Sequence, residues 1–282
     1  MKQVNFKGVN LPAIGIGTWH MGDNLKTYAQ EKATILYGLN HGATVIDTAE
    51  MYGEGNAETL VGDVLQEFDR QKVFLISKFY PQNATKERMK QALNNSLKRL
   101  KTDYLDLYLL HWRGSVPLSE TVAGVIDLQK EGKIRHWGVS NFDTADLEEL
   151  YGLPQGDQVF ANEDLYNLAN RGIEYDLLPW QRSRQLPLIA YAPIDQGDSR
   201  GQKLTQNSVV QKIADVHQVT PMQILLAWTI QSEDVMAIPQ TSSIEHMKQN
   251  IEAGEIILSD SEMQQIDLQF PGPDSKQPLQ MI

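Results

Sequence analysis

Apolar runs of strand length recur along this chain at intervals of about 30 residues, and this spacing constrains the fold more than any other feature. Each run is followed by a gap long enough for a helix, which is typical of alternating β and α units around a parallel sheet. The eight runs cover residues 13–19, 44–49, 73–78, 104–111, 134–140, 158–163, 186–193 and 235–240. Eight units favour a closed (β/α)8 barrel, the TIM-barrel fold, over an open sheet.

The length of 282 residues suits one such barrel, since barrels of this kind commonly form a single domain of about 250 residues. No linker or shift in composition divides the chain, so we predict a single domain over 1–282. Residues 3–12 are predicted to form a short hairpin that closes the bottom of the barrel, and 271–282 a tail over the surface.

Helix signals lie in the gaps between the runs. The basic stretch 86–101 has Met89, Leu93 and Leu97 at helical spacing, which predicts an amphipathic helix with a solvated face. Capping boxes are predicted for Thr220 with Gln223 and for Ser259 with Glu262.

Charge and composition bear on the compartment and on partners. A net charge of −11 without a concentrated basic face argues against nucleic-acid binding and against anionic membranes. No run approaches the roughly 18 apolar residues of a membrane span, and the first residues do not resemble an export signal. We expect a cytoplasmic monomer whose partner is a small molecule.

Polar side chains occupy the positions where consecutive predicted strands end, the face on which barrels of this kind hold their active sites. Asp47 ends the second strand, Lys78 the third and His111 the fourth, while Tyr52 lies in the loop after Asp47. Taken singly, each has an ordinary structural role in a turn, on the surface or in the core. Their shared position at one mouth of the barrel predicts a site that transfers protons.

The physical logic of this site begins with the tyrosine. A neighbouring ammonium lowers the ordinary tyrosine pKa of about 10 by favouring the phenolate. We expect Lys78 to supply that charge beside Tyr52, and Asp47 to act as the counter-ion of the buried lysine. His111 would donate a hydrogen bond to a carbonyl oxygen and orient it toward the phenol.

Four segments, "DTAEMYG", "LISKFYP", "LLHW" and "WGVSNF", resemble in order and spacing the motifs of the aldo-keto reductase superfamily. Further phrases, among them "RGIEYDLLPW" and "VMAIP", resemble its bacterial methylglyoxal reductase branch. The resemblance covers nearly the whole chain and carries the catalytic tetrad over to Asp47, Tyr52, Lys78 and His111. It implies NADPH-dependent reduction of small aldehydes and ketones, with NADH as an alternative cofactor and Tyr52 as the proton donor.

The resemblance also implies a dinucleotide extended across the barrel mouth. A Rossmann fingerprint is absent, because the glycines of "GIGTWHMG" have the wrong spacing and are better explained by crowding at a strand end. Motif matches assign the cofactor to Thr18, Ser140, Asn141, Glu163, Tyr191, Gln240, Thr241, Ser242, His246 and Asn250. Among these, Ser140 and Asn141 would hold the carboxamide and Tyr191 would stack on the ring. The substrate pocket would be lined by Trp19, Trp112 and His111.

Glu163 departs from the family pattern, which usually has glutamine at this position of "NEDLY". An ionised glutamate accepts a hydrogen bond from the carboxamide but cannot donate one. Its charge would favour the oxidised, positively charged ring over the reduced one. A protonated or averted carboxyl group would have no such effect.

Gln240 and His246 stand where the family commonly has lysine and arginine. Each charge-assisted bond that is lost removes roughly 1.5–3 kcal/mol from recognition of the 2′-phosphate. Thr241 and Ser242 precede a predicted helix whose N-terminal amides favour an anion, and Lys248 or a protonated His246 would add charge. We expect a preference for NADPH over NADH that strengthens as the pH falls.

Short connections after His111 and after Tyr191, the second covering 194–203, leave no long loop to enclose a large ligand. A small or poorly enclosed carbonyl compound is therefore expected. Arg113 would suit a carboxylate on the substrate, although an arginine in such a loop is more often merely solvated.

Two other functions fit part of the pattern. A cofactor-binding regulatory subunit with little turnover would keep the same tetrad. A metal-dependent lyase or hydrolase would use Asp47, Glu50, Glu54 and His111 as ligands. That second reading leaves Lys78 and Tyr52 without roles and clusters too few histidines, so we expect no metal.

Overall fold

Eight parallel strands form the centre of the computed structural model, which describes residues 1–195 and 204–282. An antiparallel hairpin precedes them. Among the described residues the strands are β1 (Gln3–Phe6), β2 (Val9–Pro12), β3 (Ile16–Gly17), β4 (Val45–Asp47), β5 (Phe74–Phe79), β6 (Leu105–Leu110), β7 (Ile134–Ser140), β8 (Asn162–Leu165), β9 (Leu188–Tyr191) and β10 (Val235–Ala237).

Helices alternate with the barrel strands. The described residues form α1 (Tyr28–Asn40), α2 (Asn56–Leu65), α3 (Lys86–Leu100), α4 (Leu118–Lys130), α5 (Thr144–Tyr151), α6 (Leu177–Ser183), α7 (Ser208–His217), α8 (Pro221–Thr229), α9 (Ile244–Ala253) and α10 (Asp260–Gln269). Short 3₁₀ helices lie at Tyr52–Gly55, Arg70–Lys72, Pro81–Asn83, Gly156–Gln158 and Gly172–Glu174. This alternation around a parallel sheet confirms the predicted (β/α)8 barrel. No helix in the described ranges is long and apolar enough to cross a membrane.

The barrel closes where β3 meets β10. Gly17 and Gln240 form a parallel bridge, and the Gly15 N–H donates to the Ala237 carbonyl at 2.8 Å. A Cβ atom on Gly17 would lie 2.6 Å from the carbonyl oxygen of Ile238, closer than any side chain tolerates. The glycine is therefore required by crowding at this seam, as the sequence predicts.

The hairpin closes the N-terminal end of the barrel. Lys7 and Gly8 connect β1 to β2 with φ values of 48° and 92°, the left-handed backbone of a two-residue hairpin turn. Phe6 is completely buried, and its ring centroid lies 6.2 Å from that of Phe160, just before β8. The predicted hairpin is confirmed.

Two apolar clusters hold the strands from either side. Val45 and Leu107 belong to the cluster that fills the barrel, whereas their neighbours Ile46 and Tyr108 belong to the cluster between strands and helices. This alternation follows from the two-residue period of a strand. With both faces buried, the strand ends form a rigid rim on which polar side chains are placed.

Several strands are shorter than the predicted runs, and the start of the sixth barrel strand differs most from its prediction. The sixth barrel strand, β8, begins at Asn162, whereas the sequence predicts a start at Gln158. Gln155 has a left-handed φ of 66° and Gly156–Gln158 form a 3₁₀ turn, so the chain is still turning where the apolar run begins. Val159 and Phe160, which produced that prediction, are buried outside the strand.

Other local predictions are confirmed. Met89 and Leu93 are fully buried on the inner face of α3. Both predicted capping boxes are present, at the starts of α8 and α10. Residues 271–282 form a tail without helix or strand, in which Lys276 lies 2.8 Å from Asp176 and 3.1 Å from Asp143.

Candidate active site

Lys78 is the centre of the candidate site, and its side chain is completely buried in β5. Its Nζ donates to both carboxylate oxygens of Asp47, at the end of the adjacent strand β4, over 2.6 and 2.7 Å. The same Nζ donates to the Tyr52 hydroxyl at 3.0 Å and lies 3.2 Å from Oε1 of Glu163 on β8. Three members of the predicted tetrad are therefore in direct contact.

The charges around Lys78 keep it an ammonium. Burial alone lowers the pKa of a lysine, but Asp47 and then Glu163 raise the pKa of Lys78 well above its ordinary value. The protein thus holds a permanent positive charge against the Tyr52 phenol.

Tyr52 reaches Lys78 because the loop after β4 doubles back. The Tyr52 N–H donates to the Ala49 carbonyl at 3.1 Å, and Gly53 and Glu54 follow with φ values of 56° and 53°. The φ of 56° at Gly53 is one that glycine adopts without strain, and a Cβ atom there would displace the exposed carboxylate of Asp23. This left-handed turn places the centroid of the phenol ring 4.9 Å from Nζ of Lys78.

The electrostatic prediction for Tyr52 is wrong for the protein alone. Burial raises the pKa of Tyr52 above its ordinary value of about 10, and the lowering by Lys78 is smaller than that effect. Asp47 and Glu163 add to the increase. Tyr52 is therefore a firmly protonated phenol, and Lys78 stabilises its phenolate only once a proton acceptor is present.

His111 follows β6 on the same rim. Its ring centroid lies 5.9 Å from that of Tyr52, and the two ring planes are at 75° to each other. Burial, with a smaller effect from Lys78, lowers the pKa of His111 to about 3, so the imidazole is neutral. Its Nδ1 is buried and has no partner within the described residues. A neutral imidazole beside the phenol can donate a hydrogen bond to a carbonyl oxygen.

Asn141, Ser140 and Tyr191 form a second polar cluster on the rim. Asn141 has a left-handed φ of 58°, and its Nδ2 donates to the His111 carbonyl at 3.0 Å and to the Ser140 hydroxyl at 3.1 Å. The Tyr191 hydroxyl donates to Asn141 Oδ1 at 2.8 Å, and the Ser140 hydroxyl donates to the Glu163 carbonyl at 2.9 Å. These residues, which the sequence assigns to the cofactor, are therefore held together.

The predicted phosphate segment crosses the barrel seam. Its positions differ in exposure: Gln240 and His246 are exposed, Ser242 is half-buried, and Thr241 and Asn250 are buried. Thr18 follows Gly17 of the seam. Its side chain is buried, and its hydroxyl donates to the carbonyl of Asp47 at 2.9 Å.

Ser243 and Thr241 fix the start of α9. Ser243 accepts a hydrogen bond from the His246 N–H, and Thr241 accepts one from the Ser243 N–H at 3.1 Å. The N-terminal turn of α9 is thus ordered, with its remaining amides directed outward from the helix start. The anion site at this helix start remains a prediction.

The two predicted tryptophans are both half-buried near the mouth. The Trp112 ring centroid lies 4.8 Å from that of His111 and 5.9 Å from that of Tyr80. Trp19 stacks on His20 at 4.3 Å. Trp112 therefore lies directly beside the tetrad, whereas Trp19 contacts it through no hydrogen bond or ring pair in the described part of the chain.

The model of the aldo/keto reductase family matches residues 13–268. The chain belongs to this family. It is 48% identical to methylglyoxal reductase YeaE of Escherichia coli (strain K12), over 100% of this chain and 99% of that protein. Glyoxal reductase of Bacillus subtilis (strain 168) is 30% identical over 92% of this chain and 89% of its own length.

Solved structures give the same result for the fold. A crystal structure of an aldo/keto reductase from Klebsiella pneumoniae, in complex with NADP and acetate, has a TM-score of 0.97 and 47% identity, covering 100% of both chains. A second crystal structure from Klebsiella pneumoniae, in complex with NADPH, has the same score and identity. Family membership confirms the predicted superfamily, the barrel and an oxidoreductase activity.

The guanidinium of Arg113 in this aldo/keto reductase is partly exposed and is already paired within the protein. It donates to Glu149 at 3.1 and 3.2 Å and to the carbonyls of Gly114 and Val116. The connection from His111 to α4 is short, as predicted. Of the second predicted short connection, residues 196–203 lie outside the described part of the chain.

The alternative metal ligands do not converge. Glu50 accepts hydrogen bonds from the Tyr80 N–H at 2.7 Å and from Asn83 at 2.8 Å, while both oxygens of Asp47 accept from Lys78. Within 1–195 and 204–282 there is no group of three or more acidic or histidine side chains arranged to hold a metal ion.

Two residues that support the phosphate segment were missed from the sequence. Gln30 and Thr34, on α1, donate to the carbonyl of Ser242 at 2.8 and 3.0 Å. They anchor the start of α9 from the other side of the seam. Nothing in the sequence signals this contact, because it joins positions more than 200 residues apart.

Proposed function

We propose that this protein reduces small aldehydes and ketones of the methylglyoxal type with NADPH. The chain of contacts from Asp47 through Lys78 to Tyr52, with neutral His111 beside the phenol, is the observation that carries the proposal. A regulatory role without turnover would not require this arrangement to be complete.

The roles of the tetrad follow from its geometry. The nicotinamide supplies the hydride when it is bound. His111 donates a hydrogen bond to the carbonyl oxygen of the substrate, and Tyr52 gives that oxygen its phenolic proton as negative charge develops there. Lys78, 3.0 Å from the phenol oxygen, stabilises the resulting phenolate, and Asp47 holds the lysine in place.

The residues at the mouth fit a nicotinamide. Asn141 Oδ1 accepts one hydrogen bond from Tyr191 and retains a lone pair for a carboxamide N–H. Glu163 presents a buried Oε2 without a partner in the described residues. The NADP and NADPH in the two Klebsiella pneumoniae structures support the predicted choice of cofactor.

Recognition of the 2′-phosphate is assigned to the start of α9. Exposed Gln240 and His246 lie at the positions where the family commonly has cations. Lys248 is exposed and 3.9 Å from Glu252, so its ammonium is weakly held. We propose that helix amides supply part of the binding that full charges supply elsewhere, and that NADPH is still preferred over NADH.

Methylglyoxal and related small carbonyl compounds are the proposed substrates. The short connection after His111 and the adjacent Trp112 ring suit a small ligand. The names of the relatives, methylglyoxal reductase and glyoxal reductase, support the same choice. We further propose a single-domain, cytoplasmic monomer that binds no nucleic acid.

Oxidation of NADPH by methylglyoxal, followed spectrophotometrically, tests the proposal with Tyr52→Phe as the decisive variant. The substitution removes the proton donor and keeps the ring. A general acid contributes about 10²–10⁴-fold, so kcat is expected to fall by that factor. Glyoxal and a simple aromatic aldehyde are assayed in parallel to define the substrate range.

Tyr37→Phe is the matched control. Tyr37 lies on α1, where its ring stacks on His41 at 4.0 Å, and this variant is expected to retain the wild-type rate. Turnover by Tyr52→Phe at the wild-type rate would rule out the assigned proton donor. Absence of carbonyl reduction by the wild-type protein would refute the function.

A further inference from the structure

The buried charges at Lys78 do not balance if every acid is ionised. Lys78, Asp47 and Glu163 are 0%, 1% and 1% exposed, and they provide one cation and two carboxyl groups. Lys78 contacts both carboxyl groups, at 2.6 and 3.2 Å. An uncompensated charge at such depth is costly, so one of the two acids holds a proton.

Geometry assigns that proton to Glu163. Asp47 accepts two short hydrogen bonds from Lys78, as an ionised carboxylate does, whereas Glu163 has a longer contact with Lys78 and an Oε2 without a partner in the described residues. The side chains of Glu163 and Asp47 also contact each other, and this contact lowers the pKa of Asp47 and raises that of Glu163, as expected if Glu163 holds the proton. Burial raises the pKa of both acids, and that of Glu163 lies well above its ordinary value.

Other protons at this part of the rim are already committed. Both Nδ2 hydrogens of Asn141 are donated within the protein, as are the hydroxyl hydrogens of Ser140 and Tyr191. As an acid, Glu163 can donate and accept like the glutamine it replaces in the family pattern. As an ion it can only accept.

We propose that Glu163 holds a proton in the free protein and beside a reduced nicotinamide, and releases it to water when the oxidised form binds. The inference rests on the proposed function, because it requires the nicotinamide to lie at the assigned residues. With a reduced ring, Lys78 and Asp47 cancel and a neutral Glu163 leaves the site uncharged. An oxidised ring adds one positive charge, which an ionised Glu163 neutralises.

Four ionisable groups surround Glu163 and enter this balance. Lys78 on β5 and Asp47 on β4 face Glu163 from across the barrel, Tyr52 lies in the loop after β4, and Tyr191 lies on the adjacent strand β9. The pKa values of both phenols are raised by burial, so neither of them readily supplies the released proton. Glu163 is the acid that can.

Calorimetric titration of NADP+ and NADPH in buffers of different ionisation enthalpy measures the protons released on binding. Subtracting the NADPH result from the NADP+ result cancels any contribution common to both forms, including that of the 2′-phosphate. In the wild type, NADP+ binding is expected to release about one proton per site more than NADPH binding does. The affinity for NADP+ relative to NADPH should then rise about tenfold per pH unit while Glu163 is protonated in the free protein.

Three variants assign the proton. Glu163→Gln should abolish the difference while still binding NADPH, which also shows that the variant is folded. Asp164→Asn is the matched control, since Asp164 is equally buried one position along β8 and bonds to Asn162 and not to Lys78. Asp164→Asn and Tyr52→Phe should both retain the wild-type difference.

The inference would be overturned if Glu163→Gln kept the wild-type difference in proton release, or if the wild type showed no difference. Carbonyl reduction by the wild type would still support the proposed function in either case. Loss of the difference in Tyr52→Phe would assign the proton to the phenol and also overturn it. Proton release that depends on Glu163 without any carbonyl reduction would leave the inference intact and remove the function. A protein that binds neither cofactor form would remove both.

Discussion

His111 keeps a neutral imidazole in a buried position beside a permanent cation, and this has a consequence for stability. Its pKa is lowered to about 3, whereas an unfolded histidine has a pKa of about 6.5. Between these values the unfolded state binds a proton that the folded state does not. The stability associated with His111 is therefore full above about pH 6.5 and is lost as the pH falls, at about 1.4 kcal/mol per unit.

His111→Gln should reduce this acid dependence. Urea unfolding at a series of pH values below about 6.5 is expected to show a shallower loss of stability than in the wild type, by up to about 1.4 kcal/mol per pH unit. Above about pH 7.5 the free energies of unfolding of the two proteins should depend on pH in the same way, because the imidazole is neutral in the folded and the unfolded state. Equal slopes at acid pH would show that His111 is not held neutral by the fold.

Asp47 and Glu163 should compensate for each other in stabilising the buried ammonium. In Asp47→Asn, Glu163 can ionise and replace the lost anion, so the cost should stay below the about 3–5 kcal/mol of an orphaned buried charge. Adding Glu163→Gln removes this substitute, and the double variant should lose more than the sum of the single losses, by about 0.5–3 kcal/mol.

Urea unfolding of the four proteins of this cycle measures the coupling. Asp164→Asn combined with Asp47→Asn serves as the control pair, because Asp164 does not contact Lys78, and its effects should be additive. Additive losses for Asp47 and Glu163 as well would mean that Glu163 does not take over as the counter-ion.

Much of the tetrad follows from the sequence, because Asp47, Lys78 and His111 end consecutive strands and parallel strands share one rim. The protonation of Tyr52 and Glu163 does not follow. It depends on the depth of burial and on contacts across the barrel between β5 and β8, which local sequence does not encode. Arg113 illustrates the same limit, since its partner Glu149 lies on α5, 36 residues away.

At the scale of elements, the seam between β3 and β10 allows no side chain at Gly17. A Cβ atom there would lie 2.6 Å from the carbonyl of Ile238, so Gly17→Ala should push the strands apart. Forced overpacking costs about 1–3 kcal/mol, and a loss of that size is expected in urea unfolding.

Gly152→Ala is the control for this substitution. At Gly152 the nearest atom to an added Cβ lies 3.4 Å away and the φ of −72° is ordinary, so stability should be close to that of the wild type. A Gly17→Ala protein as stable as wild type would show that the seam can widen at no cost.

Element types were predictable where a periodic pattern extends over many residues, as in α3 and β6. The boundaries of elements were less predictable from the sequence, and β8 shows the reason. Phe160 packs inside the barrel next to Phe6 of the hairpin, and Val159 packs in the cluster between strands and helices. Burial outside a strand produces the same sequence pattern as burial within one. Asp143 and Asp146 form a further capping box at the start of α5, which is not among the two predicted from the sequence.

At the scale of the whole molecule, the number of strand-like runs was enough to predict the architecture, because eight parallel strands with helices between them close most readily as a barrel. The position of the tail was predicted only in outline. Lys276 lies between Asp143 and Asp176, two half-buried carboxylates that precede different helices, and no local sequence pattern pairs them.

The seam also bears on how the molecule is made. Gly17 is among the first barrel residues to be synthesised, yet its bridge partner Gln240 is added more than 200 residues later. Until then, a nascent chain carries two open strand edges that can pair with other chains. Contacts so distant in sequence also form slowly compared with helices. A stalled or truncated translation product lacking β10 would therefore be prone to aggregate.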